Sequence, residues 1–276
     1  MAGTLYLVAV PIGNAEDLTI RARDTLRSVK VIAAEDTRHF ATLAHRHGIE
    51  TPAVSYHDHN EESRSAELLE RLRAGDDVAL ISDAGTPLIS DPGYRLVRAA
   101  IGAGIAVTSL PGASAVTTAL AASGLPPHPF RFLGFLPRGA GERRGVLLAV
   151  AADGATLVAF EAPHRLLAAL RDAVEILGDR EACLARNLTK PHERYQRGTL
   201  SALIAELEAE TVVRGEVTLL VAGARGPVMA DAEARADARL LIAGGSPRRA
   251  VQDLLVQRHG LSKRAAYALT LEVDDR

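Results

Sequence analysis

The 276-residue chain has one cysteine, Cys183. No internal disulfide can form, and the expected place for a lone thiol in a reducing cytosol is a buried strand. Tryptophan is absent and aromatic residues make up 4%, which argues against the exposed ring platforms that hold loose single-stranded nucleic acid. Lysine is scarce as well: Lys30, Lys190 and Lys263 stand against 29 arginines. Each lysine therefore merits attention, because arginine supplies no titratable amine. No apolar run reaches the length of a membrane span; the Ala-rich stretch 113–122 contains Ser and Thr and runs out at Gly124. The opening MAGTLYLVAVPIGN has no basic region and too short an apolar run for a secretory signal. These absences lead us to expect a cytoplasmic protein. A large excess of either charge is missing too, since the net charge is −2. Any nucleic-acid contact must then be a local patch.

Familiar motifs are also lacking. No G-x-G-x-x-G follows the first apolar run and no Walker loop occurs, which disfavours dinucleotide dehydrogenases and P-loop nucleotidases. Without a G-x-S-x-G elbow, an α/β-hydrolase is disfavoured. His57-Asp58-His59 puts two imidazoles on one side of an extended segment, but no Cys cluster or H-E-x-x-H accompanies them, so no metal site is expected.

Hydrophobic residues make up 47%, enough for a sizeable core. Strand-like runs (4–10, 31–36, 53–57, 77–82, 106–110) alternate with helical ones (17–29, 37–47, 60–75, 94–103, 113–123). That rhythm predicts a mainly parallel sheet covered on both faces. Pro126, Pro127 and Pro129 break it and mark a boundary. A second block follows, with strands at 130–136, 156–162, 181–188 and 216–223 and helices near 141–152, 164–178 and 199–209. The expected domains are 1–123 and 124–226, both α/β, and a helical tail 231–276. In the tail, Ser246 and Pro247 should start a helix, Gly260 end it and Ser262 cap the next, in the manner of a helix-turn-helix. Over 246–265, Arg248, Arg249, Arg258, Lys263 and Arg264 oppose only Asp253, a basic patch.

In open α/β sheets, ligands sit beyond the carboxyl ends of the strands. Those ends carry Pro11-Ile12-Gly13-Asn14, Glu35-Asp36-Thr37-Arg38, His57-Asp58-His59-Asn60, the run from Ser82 to Gly93, and Pro111-Gly112-Ala113-Ser114-Ala115. Turns need such residues for conformational reasons alone, but five in register predict a site.

VAVPIGNAEDLT, AAEDTR, SYHDHNE, SDAGTPLISDPG, PGASAV, FEAPHR and LTKPHE occur in this order. Together they resemble the ribosomal RNA small subunit methyltransferase I group of the tetrapyrrole methylase superfamily. The resemblance covers roughly residues 4–223. It implies two α/β domains with S-adenosylmethionine in the cleft between them, a homodimer, and 2′-O-methylation of a cytidine in the decoding centre of 16S rRNA. It also implies cofactor contacts at Pro11, at Asp83, Ala84, Gly85, Thr86, Pro87 and Leu88, at Ser114 and Ala115, at Phe160, Glu161 and Ala162, and at Thr218. Where that group usually has Glu-Leu-Thr-Lys, this chain has Asn187-Leu188-Thr189-Lys190, so Asn187 joins the cofactor set with a charge fewer. A methylase of tetrapyrroles or of a protein side chain such as a diphthine precursor, or a non-enzymatic ribosome assembly factor, are the rival readings; the basic tail favours RNA.

Methyl transfer from a sulfonium depends on positioning, and a ribose hydroxyl gains from a general base. Lys190, Asp36 and His57 are the candidates, with Glu35 and His59 beside them. Arg38, His59, Arg165 and the tail residues Arg248, Arg249, Lys263 and Arg264 are candidate RNA contacts. With few aromatics, the expected partner is a folded particle, the assembled small subunit.

Overall fold

Apolar runs fold as strands and amphipathic runs as helices in the computed structural model, which describes residues 2–210, 215–224 and 232–274, without the side chains of 232, 264 and 274. In the first half, β1 (Thr4–Val8), α1 (Ile20–Ser28), β2 (Val31–Ala34), α2 (Thr37–His47), β3 (Ala53–Ser55), α3 (Glu61–Arg73), β4 (Val78–Ile81), α4 (Tyr94–Gly102) and β5 (Ala106–Leu110) alternate. The strands form an all-parallel sheet in the order β3-β2-β4-β1-β5. Every residue of β2 and β4 is buried, because helices cover both faces. Leu26 and Phe40 pack with Ile32 and Ala79 on one side; Leu68, Leu72 and Leu96 pack with Leu5 and Leu80 on the other. Helix ends follow the residues: Thr19 accepts from the Ala22 N–H at 3.1 Å to start α1, and Gly48, at φ 60°, closes α2.

The second half contains β6 (Phe130–Phe135), α6 (Ala140–Ala149), β7 (Thr156–Glu161), α7 (Pro163–Leu177), β8 (Glu181–Arg186), β9 (Arg194–Thr199), α8 (Leu200–Ala209) and β10 (Val217–Val221). Its sheet runs β6-β7-β10-β8-β9. Here the pattern is mixed, unlike that of the first sheet. Only β6 and β7 pair in parallel; β10 is antiparallel to both β7 and β8, and β8 to β9. Strand β9 was not expected at all. Its sequence, RYQRGT, carries little apolar signal because it lies at the sheet edge, with Gln196 its one buried residue.

Between the halves in sequence lies α5 (Ala115–Ser123), AVTTALAAS, which carries no charge. Leaving the first sheet, it seats Val116, Ala119 and Leu120 on the second, against Val158, Cys183, Ala185 and Leu220, with Ile12 and Leu188 in the same cluster. Cys183 is a fully buried member of this interface, and burial pushes its thiol up. Strand β9 closes the helix end: Arg197 donates through Nε to the Ser123 carbonyl at 3.0 Å and through Nη2 to that of Ala122. A cation there satisfies the last carbonyls and the helix dipole.

By packing, the chain divides into Met1–Ala149 with Ala155–Ala222, which holds both sheets, and Val150–Gly154 with Gly223–Arg276. In the latter, α9 (Ala232–Ala243), α10 (Arg248–His259) and α11 (Lys263–Asp274) bury Ala234, Ala238, Val251, Leu255, Leu261, Ala266 and Leu269 together. Gly260 ends α10 in the left-handed region, and Ser262 accepts from the Ala265 N–H at 3.1 Å. Pro247 stands one residue earlier than expected, at the N-cap of α10 rather than inside it.

Leu120 is 6% exposed at the α5 interface, so Leu120→Ala should cost about 2–5 kcal/mol of unfolding free energy in denaturant titrations. A loss below about 0.5 kcal/mol, the range of ordinary surface substitutions, would show that α5 does not hold the two sheets together.

Candidate functional site

The carboxyl ends of β1, β4 and β5 are tied to one another by backbone and hydroxyl bonds. Val10 and Gly85 exchange both hydrogen bonds of a small bridge, at 2.9 and 3.0 Å. The Thr86 hydroxyl donates to the Ala113 carbonyl at 3.2 Å. From the second sheet, Thr189 accepts from the Asn14 N–H at 2.9 Å. The left-handed non-glycine residues among those described are Leu88, Ser90, Asn187 and Thr189, all in two of these loops. Such backbone costs about 1–2 kcal/mol per residue for most side chains, so tertiary contacts must hold it.

A cleft of about 530 Å³ opens between these loops and the second sheet, a size typical of small-ligand sites. Of the expected cofactor contacts, Asp83, Ala84, Gly85, Thr86, Ser114, Ala115, Phe160, Glu161, Ala162 and Thr218 line it. Pro87, Leu88 and Asn187 do not. Pro87 is buried, and the Leu88 side chain packs beside Gly93. Asn187 instead fits against Gly215, where a Cβ would meet its Oδ1 at 1.8 Å. Pro11 lines a second cleft of about 490 Å³, which shares Ile12, Asp83, Ala84 and Glu216 with the first.

Two features show what the first cleft suits. Glu161 has a side chain with no solvent exposure; its Oε1 pairs with Arg165 and accepts from the Ala162 N–H at 2.7 Å. Its Oε2 is buried with no hydrogen-bond partner. A buried carboxylate oxygen left unpaired is costly, and on a cleft-lining residue it awaits a ligand donor. Opposite in sequence origin, Glu35 and Asp91 line the same cleft. Burial pushes both up; repulsion from Asp83 adds to it for Glu35, and repulsion from Glu35 and then Asp83 adds to it for Asp91, which rises to about 6. A ligand positive at one end and bearing hydroxyl or amino donors would relieve both conditions. Among the described residues no three His, Cys, Asp or Glu are grouped to hold a metal.

The expected catalytic residues do not converge. Asp36 caps α2, accepting from the Arg38 N–H at 2.8 Å, and takes both Nε and Nη2 of Arg38. Arg38 holds its carboxyl well below the usual range, the wrong direction for a base near neutral pH. Lys190 borders the second cleft, and its Nζ pairs with Glu216 at 2.7 Å. His57 lines neither cleft, although its Nδ1 is buried without a partner. SYHDHNE is largely structural: Asn60 accepts from the His57 N–H at 2.9 Å, and Glu61 accepts from the Tyr56 hydroxyl and from the Gly93 N–H, each at 3.1 Å.

The expected RNA contacts divide as well. Arg165 has a side chain 17% exposed, and its Nη2 pairs with Glu161 in the wall of the first cleft. Arg38 and His59 are exposed. Arg248, Arg249 and Lys263 are exposed in the helical unit, while Arg258 is drawn to Asp237 at 3.0 Å. The Arg264 side chain lies outside the described residues. Glu216 was missed as a cleft residue, and Asp91 was read only as part of a strand-end loop. Asp91 lay inside SDAGTPLISDPG; Glu216, one residue before β10, gave no signal that sequence could register.

Comparison with known proteins follows the same lines. Residues 4–204 match the family described as Tetrapyrrole (Corrin/Porphyrin) Methylases. A protein of Micromonospora olivasterospora named ribosomal RNA small subunit methyltransferase I is 51% identical over 269 residues, 96% of this chain and 86% of its own. One of the same name from Synechocystis is 46% identical over 276 residues, 99% of each chain. The solved uroporphyrin-III C-methyltransferase of Thermus thermophilus, described as a complex with S-adenyl homocysteine, superposes with a TM-score of 0.56 at 24% identity, over 79% of this chain and 97% of its own. That likeness speaks for the fold.

Gly13 lies under Lys190, where a Cβ would meet Lys190 Cγ at 2.5 Å and the Leu188 carbonyl at 2.8 Å. Gly13→Ala must therefore displace the 188–190 backbone and should cost about 1–3 kcal/mol, read as a lower melting temperature. An unchanged melt would mean that these loops are not in contact as described.

Proposed function

The chain belongs to the tetrapyrrole methylase family, and from that membership we infer that it is an S-adenosylmethionine-dependent methyltransferase of small-subunit ribosomal RNA. Its acceptor is the ribose 2′-hydroxyl of a cytidine in the decoding centre of 16S rRNA, presented on the assembled small subunit. It acts in the cytoplasm as a homodimer, and no described helix is long and apolar enough to cross a membrane. Residues 1–123 and 124–226 are read as the two α/β domains of the family, and 231–276 as an appended RNA-contacting module using Arg248, Arg249, Lys263 and Arg264.

One observation carries the reading: the cleft that collects the expected cofactor contacts also holds the unpartnered Glu161 Oε2 and the crowded pair Glu35 and Asp91. S-adenosylmethionine is a cation with amino and hydroxyl donors, so these residues fit it. The Asp83–Thr86 loop, Ser114 and Ala115 would hold it from the first sheet, and Phe160 to Ala162 with Thr218 from the second. When bound, the group supplies a methyl carbon made electrophilic by sulfonium. The protein's own part is to orient, to exclude water and to take a proton from the acceptor hydroxyl. Asp91, at about 6, is better matched to that last task than Asp36.

The direct test is transfer of a tritiated methyl group from S-adenosylmethionine to purified small subunits, with alkaline hydrolysis to locate it on the ribose. Incorporation into ribose is expected. Absence of incorporation into either subunits or free 16S rRNA would remove the RNA assignment, and label on a base would remove the 2′-O assignment.

Glu161→Gln replaces one acceptor oxygen with a donor, so the dissociation constant for S-adenosylhomocysteine should rise about tenfold or more, with an unchanged constant counting against Glu161 as a contact. Because Asp91 is ionised only above about pH 6, its attraction for the cationic donor is present at neutral pH and lost as pH falls. The dissociation constant for S-adenosylmethionine should rise about three- to tenfold from about pH 7.5 to about pH 5. Asp91→Asn should flatten that profile, and a profile equally steep in the variant would exclude Asp91 as its source.

A further inference from the structure

The second cleft, about 490 Å³ in volume, has Pro11 as the one expected donor contact that it does not share with the first, and the donor reading gives the rest of its lining no role. It shares Ile12, Asp83, Ala84 and Glu216 with the donor cleft, so these residues form a common wall. The charged residues private to each cleft differ in kind. On the donor side they are Glu35, Asp91 and Glu161. On the other side the ionisable ones are His39, Arg46 and Lys190, all basic.

The floor of the second cleft is apolar. Val10, Ala34, Phe40 and Ile81 are each no more than 5% exposed and belong to one core cluster. One wall is a face of α2: His39, Thr42, Leu43 and Arg46, whose spacing places them on one side of a helix. That helix, TRHFATLAHRH, contains no Asp or Glu. Its Arg46 pairs with Glu16 at 2.9 Å, and Lys190 pairs with Glu216 at 2.7 Å. Arg46, Glu16 and Glu216 have side chains more than half exposed, and such surface pairs exchange readily for another anion.

We propose that this second cleft receives the acceptor nucleotide of the RNA, its base lying over the apolar floor beside Phe40 and its flanking phosphates against Arg46 and Lys190. The proposal rests on the methyltransferase reading above. Sequence-specific RNA recognition splays bases of single-stranded segments out of their stack; with such a base in the second cleft, its ribose hydroxyl lies at the common wall of Asp83 and Ala84, beside the donor. Charge sorts the two ligands by the residues private to each cleft: Glu35, Asp91 and Glu161 repel phosphate on one side, while on the other Arg46 and Lys190 offset the shared Asp83 and Glu216 and disfavour a sulfonium.

Two exposed residues of α2 test this in the full-length protein: Thr42→Trp, which narrows the cleft, and Arg46→Glu, which reverses its rim charge. Methyl transfer to small subunits gives KM and kcat, calorimetry gives the S-adenosylhomocysteine constant, and thermal melts report folding. In both variants KM for the subunit should rise at least about tenfold, a loss typical of severed positioning contacts, while the cofactor constant stays within about twofold. Unchanged KM in both, with transfer by the wild type intact, overturns the proposal. A cofactor constant that worsens in step with KM also overturns it, because the second cleft would then be part of the donor site. Should Thr42→Trp fail to fold, Arg46→Glu decides alone, since its side chain is 59% exposed. Wild-type protein that binds the donor and methylates no subunit RNA instead sinks the parent reading, an outcome distinct from the others.

Discussion

Neither cleft exists without the seating of α5 and Ile12 on the second sheet. Val116, Ala119 and Leu120 leave the first sheet and bury themselves against Val158, Cys183 and Leu220 of the second. Half of the donor cleft hangs from loops of one sheet and half from strand ends of the other, so a shift at this interface would separate them. The same cluster takes in Leu188, beside the left-handed Asn187 and Thr189. Packing at the interface thus supplies the stability that keeps two unfavourable backbone positions in place.

Around that interface the loops are locked to one another before any ligand arrives. The Val10–Gly85 bridge, the Thr86 hydroxyl and the Asn14–Thr189 bond join segments far apart in sequence. Preorganisation of this kind lowers the cost of ordering a site on binding. It also explains the arrangement of charge. Glu35, Asp83 and Asp91 are held close enough that burial and repulsion push Glu35 and Asp91 up, a strain that a bound cation would relieve. Across a shared wall, the residues private to the second cleft are instead basic: His39 and Arg46 of α2, and Lys190.

Local sequence carried much of the α/β reading. Three of the five first-sheet strands, at 4–8, 31–34 and 78–81, are apolar runs without interruption or nearly so, and two of them, β2 and β4, are buried throughout. The pairing of the second sheet was not legible because strand direction is not written in hydropathy: β8 and β10 are buried almost throughout, as a parallel strand is, yet they run antiparallel. Strand β9 was invisible because Arg194 and Arg197 interrupt it, and Arg197 is there to close α5, a partner more than seventy residues away. Among site residues, most of the cofactor contacts implied by the motifs line one cleft, while Pro11, Pro87, Leu88 and Asn187 do not. The motifs could not tell that Arg165 pairs with Glu161, or that Asp36 is spent on Arg38 and a helix cap.

What the chain's sequence determined alone is local: which segments become helix or strand, where Gly and Pro turn the backbone, and which loops gather at strand ends. Those depend on periodicity and on the conformational preferences of single residues. What only tertiary structure decided is which loops meet, which carboxylates crowd, which oxygen of Glu161 is left without a donor, and how basic and acidic linings fall on opposite sides of one wall. Those depend on distances between residues up to two hundred positions apart, and Coulomb energy and desolvation are functions of distance and burial, which no local pattern encodes.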